Sequence, residues 1–168
     1  MNKNKLFLIT ILVSILLYGC SQKTKISAIY PIYDLDTTIQ NSDIIVKGEI
    51  AEKIKEYMIG EHKDIPLTDY VFVVTKYYKI PKDMIKAKEL IVTQDGNEKM
   101  IIDNHPLMQK GKKYILFLRK SKNGKLVMVG GVNGKYCINN GKVYNMVKPK
   151  ELKDIYQFEK ELKEKIKP

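Results

Sequence analysis

The sequence predicts a mainly β domain: a small antiparallel barrel or meander, with a short helix before its first strand and an amphipathic helix at its C-terminal end. Three observations carry this. Two stretches, "YVFVVTKYYK" (70–79) and "KYILFL" (113–118), are β-branched and aromatic almost throughout, as strands that pack on a pleated surface are. Asn-Gly pairs at 123–124, 133–134 and 140–141, with Asp95-Gly96 before them, supply hairpin turns at short spacing. After Pro149 the apolar residues change to a helical interval, with Ile155, Phe158, Leu162 and Ile166 on one stripe.

Taken in chain order, Asp34 caps a short helix through about Asn41, with Leu35 and Ile39 on one face, and Pro31 keeps it from starting earlier. "DIIVKGEIAEKIKEY" (43–57) reads as a strand in which Gly48 marks a bulge or bend. Residues 58–67 read as a loop by their Gly and Pro. Residues 68–80 form the clearest strand, "PKDMIKAK" breaks it, and "ELIVTQ" begins another. Residues 106–109 fit one helical turn ended by Gly111. From Lys113 to Met146 the chain reads as a tight meander. The segment from 148 to 168 is a terminal helix whose stripe either packs on the barrel, the first reading, or lies on a membrane surface.

The N-terminus speaks to location. "MNKNK" carries Lys3 and Lys5 and no acid, and residues 6–19, "LFLITILVSILLYG", carry no charge. A membrane-spanning helix needs about 20 apolar residues. This run is shorter, ends at Gly19-Cys20, and gives way at once to "SQKTK". Leu17-Tyr18-Gly19-Cys20 resembles the lipobox of bacterial lipoproteins, with Tyr18 bulkier than the usual occupant of its position. The resemblance implies cleavage between Gly19 and Cys20, lipidation of Cys20 by diacylglycerol, and a cell-membrane, extracytoplasmic address. Residues 1–19 are then a signal peptide, 20–33 a lipidated polar tether, 34–147 the barrel-like domain and 148–168 the terminal helix.

Composition narrows the partners. The 168 residues carry a net charge of +11, which falls by two when Lys3 and Lys5 are removed. Such basicity suits anionic envelope polymers, lipid headgroups or an acidic envelope protein. Arg119 is the one arginine among 30 basic residues, and the lysines are scattered among acids. Nucleic-acid recognition leans on the planar fork of Arg, so the composition argues against it. With Cys20 lipidated, Cys137 has no disulfide partner. The chain is read as a monomer.

The search for chemistry is brief. His62 and His105 lie in separate loops without metal-ligand spacing, so no metal or other cofactor is expected. Asp103 and His105 in "DNHP" are the one loop site on which an envelope enzyme could be built, though such a pair more often satisfies a turn. No phosphate loop or nucleophile elbow occurs. The first reading is therefore non-catalytic. Of the 11 tyrosines, Tyr70, Tyr77 and Tyr78 are the candidates for a ligand face on the sheet, although strand aromatics are more often core.

The order of parts in "SDIIVKGEI" (42–50), "YVFVVTKYYK" (70–79), "LMQKGKKYILFL" (107–118) and "VGGVNGKYCINNGKVY" (129–144) resembles small secreted bacterial domains with an OB-like barrel, related in style to netrin-like modules. The disulfides of netrin-like inhibitors are missing, so the resemblance implies a barrel and carries over no functional residue. The expected function is a membrane-anchored binding or interaction module at the cell envelope. The alternatives are an enzyme around Asp103 and His105, or an inhibitor or partner of a secreted protein.

Overall fold

The computed structural model describes residues 23–102 and 105–166. Cys20, Gly19, the leader and Asp103 lie outside these residues. Ten strands and two α-helices follow one another: β1 (Thr24–Ile26), α1 (Leu35–Gln40), β2 (Ile44–Ile59), β3 (Ile65–Lys79), β4 (Glu89–Asp95), β5 (Met100–Ile102), β6 (Lys113–Lys120), β7 (Leu126–Met128), β8 (Lys135–Asn139), β9 (Lys142–Asn145), β10 (Lys153–Asp154) and α2 (Ile155–Ile166).

Five strands close on themselves. β2 pairs antiparallel with β3 and with β6, β3 antiparallel with β4, and β4 parallel with β7. β7 completes the circuit by pairing antiparallel with the end of β6, Leu118 opposite Met128. The circuit β6–β2–β3–β4–β7–β6 is a small OB-like barrel, and closure removes the strand edges that would otherwise invite aggregation. Gly48 lies at a register shift of β2, where a Cβ would strike the Val73 carbonyl and the Phe72 ring. Glycine therefore lets the two longest strands bend together.

The start of β2 and the middle of β6 are buried on both faces, which is why "IIV" and "YILFL" are unbroken apolar runs. Inside the barrel Ile44, Val46, Ile50, Phe72, Val92, Leu116, Leu118 and Met128 form one core. On the outer face Ile45, Ile115 and Phe117 join Ile39 of α1 and Ile155, Phe158 and Leu162 of α2 in a second. The α2 stripe thus packs on the barrel. Tyr136 links the two layers, with its ring 5.2 Å from Phe117 and 5.0 Å from Phe158. Glu159 clamps the helix from its flank, receiving Lys47 at 2.7 Å and Lys76 at 2.5 Å. Burial alone would raise this carboxyl, but the two lysines outweigh it and hold its pKa at about 2.

Several expectations are corrected. The loop read at 58–67 shrinks to a five-residue connection, because β2 and β3 continue pairing as far as Ile59 opposite Ile65. No helical turn forms at 106–109. The tight meander is broken: β8 pairs with β6, not with β7, and a 3₁₀ turn (Gly131–Gly134) carries the chain onward along the same edge of β6. Gly134 permits the close pass, since a Cβ there would lie 2.7 Å from the Phe117 carbonyl oxygen. Asn140 and Gly141 do form the expected tight turn, both with positive φ. The terminal helix starts at Ile155, after β10, and Leu152 stands exposed ahead of it.

The largest correction concerns the tether. Residues 24–33 are part of the folded body. β1 pairs parallel with β5, and the Thr24 amide donates to the Lys99 carbonyl at 2.7 Å. Further on, Tyr33 N donates to Asn133 Oδ1 at 3.0 Å, while Asn133 Nδ2 donates to the carbonyls of Pro31 and Gly130, each at 2.7 Å. Asn133 is 1% exposed. Replacing Asn133 with Ala leaves the Tyr33 amide and the Pro31 carbonyl without their partner. We expect a loss of about 1–3 kcal/mol in urea unfolding; unchanged stability would show that the side chain does not hold this segment.

Candidate functional site

The described polar chemistry concentrates where the N-terminal segment meets the barrel. Four elements bring it together. The incoming strand-like segment supplies Tyr30, which lies over Gly131; that glycine has φ +58, and a Cβ there would overlap the Tyr30 ring. The last residue of β4 supplies Asp95. The turn after β5 supplies His105, whose amide donates to the Ile102 carbonyl at 3.0 Å. β8 begins with Lys135.

These groups form a chain. Tyr30 donates its hydroxyl proton to Asp95 Oδ2 at 3.1 Å, and the same hydroxyl lies 3.4 Å from His105 Nδ1. With the Tyr30 proton given to Asp95, the His105 tautomer that completes the chain carries its proton on Nδ1. The two rings meet edge to face at 5.7 Å. His105 Nε2 is buried without a hydrogen-bond partner among the described residues. Gln94 secures the loop from below: its Nε2 donates to the Pro106 carbonyl at 2.9 Å, and its Oε1 accepts from Met108 N at 2.9 Å. The Lys135 ammonium donates to the same Pro106 carbonyl.

Burial sets the electrostatics. It raises the Asp95 carboxyl, partly offset by the Tyr30 hydrogen bond, and it raises the Tyr30 hydroxyl. It pushes His105 well below its ordinary value, and the Lys135 charge adds to that push. Lys135 is lowered by burial to about 7. His105 is 0% and Lys135 1% exposed, so neither nitrogen meets solvent. What this arrangement does chemically is join the N-terminal segment to β4 and to the turn at 105–106. Asp103, the partner expected for His105 from sequence, lies outside the described residues; Tyr30 is the side-chain partner the structure gives it, and Asp95 is reached only through Tyr30.

The sequence-predicted ligand face is not brought together. Tyr70 is 2% exposed inside the barrel. Tyr77 packs partly buried against the same core and donates to the Ala87 carbonyl at 2.8 Å. Tyr78 packs against the second core, on the α2 side. Adjacent strand positions point to opposite faces, so Tyr77 and Tyr78 cannot share a surface. Cys137 is half-buried, and burial pushes its thiol up, away from the reactive thiolate.

Other features are shallower. A groove of about 290 Å³ runs between the 30–33 segment and the outer face of β4, β6 and β7, and includes Thr93, Asp95 and Arg119. Beside it Asp69 accepts from Thr93 Oγ1 at 2.7 Å, from Tyr57 at 2.8 Å and from Lys125 at 3.1 Å. Burial would raise Asp69, but these donors together hold it low. Among the described residues, no group of three or more His, Cys, Asp or Glu is placed to hold a metal ion. Sequence reasoning missed Tyr30, Asn133 and Lys135. The signal available for the first two was the Gly130-Gly131 doublet, since paired glycines mark a close approach of another chain segment.

The fold and this site define a closed OB-like β-barrel whose own N-terminal segment is clasped across its outer face. No protein-family model matches the chain, and no curated protein sequence matches it.

The buried pair of bases sets a pH dependence. The unfolded chain keeps the Lys135 proton to about 10.5, whereas the folded chain releases it near 7. The unfolded state therefore binds more protons across that interval, and stability rises with pH from about 7 to about 10.5. Below about 6.5 the unfolded His105 takes up a proton that the folded state resists, so stability falls with acidification. Urea unfolding across this range should show both limbs; Lys135→Met should flatten the alkaline one and, by removing a charge that lowers His105, make the acid one shallower. An unchanged alkaline slope in that variant would place the titration elsewhere.

Proposed function

We propose that this protein is a lipid-anchored, extracytoplasmic binding module of the cell envelope, held by a diacylglycerol-modified Cys20 and acting without catalysis on an anionic envelope polymer or another envelope protein. The observation that carries the reading is the run of residues 6–19 without charge, closed by Leu17-Tyr18-Gly19-Cys20 and followed at once by polar residues. A single acyl chain binds a membrane marginally, whereas two give a stable anchor.

The body is consistent with that use. No described helix is long and apolar enough to cross a membrane. Because β1 begins at Thr24, four peptide steps separate it from Cys20, a reach of about 14 Å at most. An anchor at Cys20 would hold the barrel close against the bilayer instead of letting it range on a long leash. The burial of His105 favours the non-catalytic reading over an enzyme built on that residue. The excess of lysine suits an acidic partner.

Metabolic labelling with a fatty-acid analogue tests the anchor. The wild-type chain should be labelled and Cys20→Ala should not; equal labelling of the two would overturn the proposal.

A further inference from the structure

The docked N-terminal segment presents two very different sides. Tyr30 and Tyr33 face the body, over Gly131 and Gly130, and the Asn133 amide grips the backbone between them. Ile29 and Ile32 face away, at 102% and 84% exposure. Two large aliphatic side chains fully exposed on a held segment forgo the gain that burial would give them. The neighbourhood extends the apolar surface: Ile32 borders a shallow groove shared with Ala28, Val132, Met146 and Val147. Lys148 and Lys150 follow on the chain directly and are exposed, and Leu152 beyond them is 60% exposed. The surface is an apolar wedge with a basic rim.

We propose that this wedge, centred on Ile29 and Ile32, is the face that the protein lays on an anionic lipid bilayer. The inference rests on the reading of Cys20 as a membrane anchor and adds to it the orientation of the barrel. Two further observations select lipid as the occupant. Ile29 is nine residues from Cys20, within about 30 Å of chain, so the wedge lies inside the reach of an anchored N-terminus. Aliphatic side chains sink into the headgroup boundary while lysines beside them meet anionic lipid. The clasp by Asn133 gives the wedge a fixed direction, so the barrel is presented in one orientation and the end of the molecule away from the wedge is left free for a partner.

The protein contains no tryptophan, so one introduced indole reports one position. The full chain carrying Ile29→Trp or Ile32→Trp, purified in detergent and reconstituted into vesicles of phosphatidylglycerol and phosphatidylcholine, should fluoresce at shorter wavelength than in detergent-free buffer. Brominated lipid should quench it. Ile85→Trp, placed at an 87% exposed site in the β3–β4 loop, should show neither change. All three sites are exposed, so the substitutions leave the cores intact. Quenching at 85 equal to or stronger than at 29 and 32, or no quenching at 29 and 32, would overturn the proposed face; the second result is the one expected if the wedge instead meets a protein. The same preparation is scored for fatty-acid labelling, and acylated, vesicle-bound protein that shows no quenching at 29 and 32 overturns the face while the anchor stands, so the two failures are distinct.

Discussion

The Asn133 side chain uses its carbonyl and both amide protons at once, and it does so across about a hundred residues of sequence. It takes the Tyr33 amide, donates to Pro31 and Gly130, and is shut away from water. A buried amide with every polar atom engaged is costly to disrupt and specifies a single arrangement. Two consequences follow. The chain between β1 and α1 is fixed on the body, so the domain proper begins at Thr24. The 3₁₀ turn that carries the chain from β7 to β8 along one edge of β6 is fixed as well, because Asn133 belongs to it and Gly130 precedes it. One residue therefore holds both the entry of the chain and the place where the barrel gives way to the β8–β9 extension.

Charge is distributed in keeping with this design. The lysines that face inward are individually answered: Lys47 and Lys76 by Glu159, Lys125 by Asp69, Lys135 by the Pro106 carbonyl. Lys135 differs from the others because its partner is neutral. A buried amine with no carboxylate is held toward its uncharged form by burial, and its residual charge adds to the burial that lowers His105. In the polar chain, Tyr30 and Asp95 line the groove while His105 is buried, and the three work as a brace for the clasped segment.

How much of this can be read from the chain depends on the kind of interaction. Lys113–Lys120 is legible as a strand to the residue, because an unbroken apolar run between a Gly-rich turn and an Asn-Gly turn has few other uses. Asp34 as helix cap is legible from local chemistry, and its side chain accepts from the Thr37 amide at 2.7 Å. The α2 stripe is legible by its period. What is lost is long-range. The chain at 129–134 looks like another hairpin turn, and only the close pass of Gly134 by Phe117 shows that it does not reverse but continues along β6. "IYPIY" looks like tether because nothing local reveals that Tyr30 and Tyr33 have glycines waiting for them at 130 and 131. Lys135 sits in an alternating strand and reads as solvated, whereas the loop at 105–106 covers it. Tyr70 reads as a plausible ligand residue by type, and its place inside a closed barrel is fixed by the β4–β7 and β6–β7 pairings, which no local pattern encodes.

If the N-terminal segment is truly part of the body, its amides are shielded by specific acceptors. Hydrogen–deuterium exchange of the wild-type chain measures this directly. The Thr24 amide, bonded to Lys99, and the Tyr33 amide, bonded to Asn133, should exchange far more slowly than in an unstructured peptide. Exchange of both at the rate of free chain would mean that residues 24–33 are a loose tether, and the clasp, the brace and the oriented wedge would all have to be abandoned.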